Sequence, residues 1–208
     1  MGLARPAMAR LPDLRFWKLC GSGTGEGFTP LPNTAVYAIL CVWDDLGSAR
    51  AGLASRVFDR YRARSDESYT LFLTPTASRG AWSGQTPFRP EGGQTGPVAA
   101  LTRATIKPSI ALKFWGRVPD ISEVIGTDPN VLFKIGIGEV PLLHQITFSI
   151  WPDTQSMATF ARKDGPHARA IKAVRQGAWF SEELYARFAV IDAEGTWEGR
   201  TPLKELAA

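Results

Sequence analysis

The stretch Gly80-Ala81-Trp82-Ser83-Gly84-Gln85-Thr86-Pro87 returns as Gly195-Thr196-Trp197-Glu198-Gly199-Arg200-Thr201-Pro202. Both copies fit Gly-x-Trp-x-Gly-x-Thr-Pro, and they lie 115 residues apart. That period is too long for a stacked solenoid and suits two fused copies of a small domain. Further matches keep the same order. Arg10–Leu14 (RLPDL) pairs with Arg117–Ile121 (RVPDI), and Gly21-Ser22-Gly23 with Gly136-Ile137-Gly138. Tyr37–Ser48 pairs with Gln145–Ser156, through Trp43-Asp44-Asp45 and Trp151-Pro152-Asp153. The chain is a tandem duplication.

The second copy reads more completely. Val98–Ile106 (VAALTRATI) alternates as a strand. Lys107–Val118 then predicts a helix with Pro108 in its first turn. Ile110, Ala111, Phe114 and Val118 share one face of it, while Ser109, Lys113 and Arg117 form a polar stripe. Asn130–Ile137 and Leu143–Trp151 are strand-like, with Glu139-Val140-Pro141 turning the chain between them. Asp153 caps a helix running to about Arg162, a further helical segment follows Gly165-Pro166, and Leu184–Ile191 closes the unit as a strand. The order β-α-β-β-α-β is the split pattern of ferredoxin-like domains.

The first copy gives helix Leu3–Arg10, strands Leu14–Leu19 and Ala35–Trp43, helix Ser48–Arg64 and strand Tyr69–Thr74. It lacks the opening strand, and Met1 falls where that strand would just have ended. The reading is an α+β fold built from tandem ferredoxin-like units that form an α/β sandwich or barrel. Residues 1–96 are the first unit with its linking loop, and residues 97–208 are the second. An open sheet edge in the first unit predicts a homo-oligomer through that edge or poor solubility.

Bulk properties narrow the function classes. The 208 residues are 44% hydrophobic and 21% charged, ordinary for a globular protein. No apolar run approaches a membrane span, and the N-terminus lacks the apolar core of a signal peptide. Cys20 and Cys41 read as two buried thiols in a reducing cytoplasm and are too few for a zinc site. The net charge of +4 is scattered, which argues against nucleic-acid binding but permits peripheral contact with the inner face of an anionic membrane. Seven Trp and eleven Phe call for a dense core or a broad apolar pocket.

Candidate chemistry is sparse. The run Gly21-Ser22-Gly23-Thr24-Gly25-Glu26-Gly27 misses both nucleotide-loop templates and reads as a β-hairpin turn. Only two histidines exist. His144 lies in a strand with Ile146, Phe148 and Ile150 on its face, the setting of a core histidine. His167 opens the helix Pro166–Arg175, with Ala170, Ile171 and Val174 beside it on the apolar side. The helix N-terminus there disfavours a protonated imidazole and keeps a lone pair available. A buried histidine stays open for His167, but the absence of a neighbouring nucleophile or second ligand favours a macrocycle-bound iron over a zinc or triad site. Trp179 and Phe180 could wall a pocket beside it or serve as interior anchors. Trp82 and Trp197, present in both copies, read as structure.

Three stretches carry a family resemblance: Phe16–Phe28 (FWKLCGSGTGEGF), Arg103–Pro108 (RATIKP), and Gly165–Ala168 (GPHA) through Trp179–Leu184 (WFSEEL). Together they resemble the spheroidene monooxygenase family, in order and over nearly the whole chain. The resemblance implies a haem-dependent oxygenase that installs a keto group on an acyclic carotenoid, by two hydroxylations at one carbon and loss of water. It implies dioxygen as co-substrate and an external electron donor such as a ferredoxin, since no flavin or nicotinamide motif is present. His167 carries over as the axial ligand. Phe114, Trp179 and Phe180 become wall residues, and Lys113 and Arg117 candidates for the haem propionates. Axial histidine alone does not choose the reaction. A dehydratase or peroxide-using haem enzyme, and a non-catalytic haem or lipid-binding module, therefore stay open.

Overall fold

The computed structural model describes residues 2–25, 27, 29–92, 95–116, 128–162 and 178–203. A 3-10 turn, Gly2–Ala4, leads into α1 (Arg5–Met8), followed by β1 (Leu14–Gly23), β2 (Pro32–Trp43), α2 (Leu46–Leu53), α3 (Arg56–Arg62) and β3 (Tyr69–Gly80). The chain continues through β4 (Val98–Ile106), a 3-10 turn Pro108–Ile110, α4 (Ala111–Trp115), β5 (Phe133–Gly138), β6 (His144–Trp151), α5 (Thr154–Arg162) and β7 (Phe180–Gly195). The strands form one antiparallel sheet in the order β2-β1-β5-β6-β4-β7-β3. Within it, β7-β4-β6-β5 is the order of a complete ferredoxin-like unit, with its first strand between its third and fourth.

The duplication is written into the strand pairing. At the β1·β5 seam Ser22 pairs with Ile137, its own counterpart 115 residues on. At the β3·β7 seam Tyr69 pairs with Gly195 and Gly80 with Leu184, so that each pair is the image of the other under the same shift. Both seams therefore sit on one pseudo-two-fold axis, and the pairing fixes the Gly-x-Gly alignment. The two Trp motifs fold alike. Bridges Trp82↔Gln85 and Trp197↔Arg200 close tight turns in which Ser83, Gly84, Glu198 and Gly199 all have positive φ. Gly80 (φ 90°) and Gly195 (φ 85°) precede them; a Cβ would lie 2.1 Å from the Glu183 carbonyl oxygen at one and 2.0 Å from that of Ser68 at the other. Only glycine fits both the conformation and the contact.

Alternation decides the two faces of the sheet. Inward residues such as Phe16, Ala99, Leu101, Ile135, Ile146, Phe148, Leu184 and Phe188 form one core. The inward residues of both edge strands pack on this same core, Val36, Ala38, Leu40 and Val42 from β2 and Tyr69, Leu71 and Leu73 from β3. The sheet is thus curled, open only between β2 and β3. On the outer face Met8, Leu19, Val57 and Phe58 anchor the helices of the first half, and Trp151 packs on Phe160 of α5. The matched caps follow: the Asp45 carboxylate accepts from Ser48 N–H at 2.8 Å and that of Asp153 from Ser156 N–H at 2.7 Å.

Several elements differ from their sequence-based bounds. The helix expected over Ser48–Arg64 is two helices, because Ser55 takes an extended conformation. β3 continues through Gly80, into the stretch expected as linking loop. The helix expected from Lys107 is a 3-10 turn followed by α4, while Arg117 and Val118 lie outside the described residues. Ser181-Glu182-Glu183 reads from sequence as the cap of a short helical turn, but the run lies within β7, which begins at Phe180. The glycine-rich run is a β-hairpin pressed on β5: a Cβ on Gly27 would lie 1.8 Å from the Gly136 carbonyl oxygen, and Ser22 Oγ donates to that oxygen at 2.8 Å.

Candidate functional site

Four of the sequence-nominated residues meet where β4 runs into α4 and β7 begins. Lys107 N–H donates to the Trp179 carbonyl at 3.0 Å, which ties the two segments together. Trp179 is buried, and the Lys113 ammonium sits 5.3 Å from the centroid of its ring. Phe114 packs edge-on against Phe180 at 6.1 Å and against Trp115 at 5.5 Å. The Trp115 indole N–H holds the Leu142 carbonyl at 2.9 Å, so α4 is braced to the β5–β6 turn. The result is an aromatic wall with a cation at its rim. His167 and Arg117 lie outside the described residues.

A second cluster lies inside the curl and escaped the sequence reading. Arg103 on β4 is 1% exposed and forms an ion pair with Glu182 on β7. Glu182 also accepts the N–H groups of Ser83 at 2.9 Å and Gly84 at 2.7 Å, which fixes the Trp82 turn. Glu139 receives the Trp82 indole N–H at 2.6 Å and the Lys18 ammonium at 2.9 Å, with Arg103 3.9 Å away. His144 completes the group, its Nδ1 3.6 Å from Glu139 and without a hydrogen bond among the described residues. Burial pushes the His144 pKa down, against the pull of the Glu139 charge. For Glu182 burial pushes upward, but the N–H groups of Gly84 and Ser83 and the Arg103 charge outweigh it and hold the carboxyl below its usual range. Both carboxylates are committed to cations and N–H donors, which suits positioning rather than proton transfer.

One signal could have found this cluster. Glu67 stands 115 residues before Glu182 and accepts from Glu198 N–H at 2.7 Å and Gly199 N–H at 2.8 Å, as Glu182 does from Ser83 and Gly84. Each unit's turn is thus held by the other unit's glutamate. Of the two cysteines read as buried thiols, Cys20 is buried and Cys41 half-buried, and burial pushes each up to about 12. Among the described residues no group of three His, Cys, Asp or Glu is placed to hold a metal, and no helix is long and apolar enough to cross a membrane.

Comparison with known proteins decides the family. The chain is 52% identical to a spheroidene monooxygenase of Rhodobacter capsulatus, over 98% of its own length and 86% of the relative's. The chain belongs to the spheroidene monooxygenase family. It is also 52% identical to a spheroidene monooxygenase of Cereibacter sphaeroides, over 95% of this chain and 62% of that one. No family model matches. A solved Fusobacterium nucleatum structure aligns over 93% of this chain and 83% of its own at 9% identity, with a TM-score of 0.46. Within this spheroidene monooxygenase family member, all three stretches that carry the resemblance contribute to the interior cluster: Lys18 comes from the first, Arg103 from the second and Glu182 from the third.

Proposed function

We propose that this chain is a monooxygenase that introduces a keto group into an acyclic carotenoid such as spheroidene, with haem as cofactor and His167 as the iron ligand. The observation that carries the reading is 52% identity to a spheroidene monooxygenase over 98% of the chain. The described residues suit a macrocycle: Phe114, Phe180 and Trp179 form an apolar wall, and Lys113 stands at its rim. Haem, when bound, supplies the activation of dioxygen after reduction by an external donor such as a ferredoxin. The protein's own part is to shelter an apolar ligand face, exclude water and meet the propionates with Lys113 and Arg117. In this division of labour residues 97–208 carry the ligand and residues 1–96 complete the sheet. The apolar substrate and the net charge of +4 support peripheral contact with an anionic membrane surface.

The test is spectroscopic first. Purified protein loaded with haem should show a Soret band that His167→Ala abolishes and His144→Ala keeps, with added imidazole partly restoring it in the former. The reverse pattern transfers the ligand to His144, and no band in any form removes haem from the reading. Oxygen uptake with reductant and spheroidene then separates a monooxygenase from a dehydratase, a peroxide-using enzyme or a binding module.

A further inference from the structure

The Trp197 turn shows what the duplicated frame needs, and the Trp82 turn has more. At a shift of 115 residues Lys18 corresponds to Phe133 and Glu139 to Thr24. Phe133 packs on Trp197 at 5.4 Å, where the Lys18 ammonium stands 5.7 Å from the Trp82 ring. The same turn thus forms beside a phenylalanine in one half and beside an ion pair in the other. Burying that pair does little for the fold. Lys18 and Glu139 keep only 15% and 14% of their side chains exposed, and replacing such a pair by apolar residues is often neutral or stabilising. Arg103 Nε and His144 Nδ1, buried beside it, have no hydrogen-bond partner among the described residues, which adds to the cost. The position of the cluster supplies a different role.

Its two carboxylates stand at the roots of the two segments that carry the aromatic wall. Glu139 opens the β5–β6 turn, whose Leu142 carbonyl holds Trp115 of α4. Leu142 has a positive φ of 66°, a conformation that a leucine keeps only where its surroundings fix the turn. Glu182 lies two residues after Phe180, and between them the pairing with β4 shifts from Thr105↔Glu182 to Ile106↔Phe180. Ser181 is the extra residue of that bulge, a device that re-aims the side chains beside it. Arg103 lies between the two carboxylates, ion-paired with Glu182 and 3.9 Å from Glu139. The Trp82 turn grips both, with its indole N–H on Glu139 and the N–H groups of Ser83 and Gly84 on Glu182. We infer that Glu139 is a positioning residue of the candidate site: with Arg103 and Glu182 it sets how α4, bearing Lys113 and Phe114, stands against Trp179 and Phe180. Residues 1–96 thereby shape the site through Lys18 and the Trp82 turn, given the function proposed above, in which that wall borders cofactor and substrate.

The test transplants the surroundings of Trp197 onto Trp82. The double variant Lys18→Phe with Glu139→Thr, and the milder Glu139→Gln, are compared with wild type through their tryptophan indole N–H resonances in proton–nitrogen NMR spectra. The resonances of Trp115 and Trp179 should shift or broaden in both variants, more in the double one. That of Trp197 should stay, and the urea midpoint should change little. In haem-loaded protein with reductant and spheroidene, kcat should fall about tenfold to a hundredfold, the scale of a misplaced reacting group. Unmoved Trp115 and Trp179 resonances overturn the inference. A change spread over every tryptophan with a collapsed midpoint also overturns it, because the cluster then only stabilises the fold. Full activity in a variant whose wall resonances have moved overturns it as well. If wild type takes up no haem, the cofactor leaves the proposed function, and the resonances of the unloaded protein still decide the positioning.

Discussion

Trp82 and Trp197 sit in the same eight-residue motif, in turns of the same conformation, each held by a glutamate from the opposite half. Their surroundings differ. Trp82 is fully buried: its N–H is on Glu139, Phe16 lies edge-on at 5.6 Å and the Arg103 guanidinium is 5.8 Å from its ring. Trp197 is partly exposed and meets Phe133 edge-on at 5.4 Å, and among the described residues no strand stands beside it as β4 stands beside Trp82. A motif thus dictates its own turn, while the neighbouring strand dictates how much energy that turn commits. Sequence repeats report the first and are silent on the second.

The comparison can be broken most directly at the tryptophans. Trp82→Ala should cost about 3 to 5 kcal/mol, since it opens a cavity and strips Glu139 of a donor. Trp197→Ala should cost roughly half as much, and equal losses in urea denaturation would contradict the asymmetry. The glutamates come next. Glu182→Gln should cost about 3 kcal/mol because it takes the nearer counter-charge from buried Arg103 and leaves only Glu139 at 3.9 Å, whereas Glu67→Gln, with no ion-paired cation among the described residues, should do far less. Because the folded-state pKa of Glu182 is lowered, its stabilisation is complete above the usual carboxylate range and is lost as pH falls through the folded value. The gap between wild type and Glu182→Gln should therefore narrow in acid, and a gap independent of pH would remove the ion pair from the account.

Where the two halves match, the effects should match. Gly80→Ala and Gly195→Ala should each cost about 1 kcal/mol or more, for both glycines have positive φ and face a carbonyl at close range. Unequal losses would show the seam to be less symmetric than its pairing. The smallest effect concerns Cys20 and Cys41, whose raised pKa values predict that neither reacts with a thiol reagent at pH 8 until the protein unfolds; labelling followed by mass spectrometry reads this directly.

The architecture was legible because hydrophobic alternation and the repeat are both properties of the chain itself. Val98–Ile106 matches β4 residue for residue, and the strand order follows from two copies of one pattern. The failures share a cause. Ser181-Glu182-Glu183 looks like a helix start because acids and serine favour that place, yet Glu182 turns inward to Arg103, a partner 79 residues away. Nothing local to Lys18 or Arg103 marks them as interior; only the curl of the sheet brings them to Glu139 and Glu182. Of the site, Phe114, Trp179, Phe180 and Lys113 were nominated from aromatic content and resemblance and do come together, whereas the interior cluster depends on contacts no local pattern encodes.

Pairing at both seams along one axis is the arrangement of an isologous homodimer interface, in which every residue meets the image of its own partner. In two separate identical chains any substitution at such a surface would appear twice, so neither side could change alone. Joining the halves in one polypeptide removes that constraint. Glu139, Lys18 and Arg103 surround one tryptophan and not the other, a lopsidedness that a symmetric pair of chains could not have acquired.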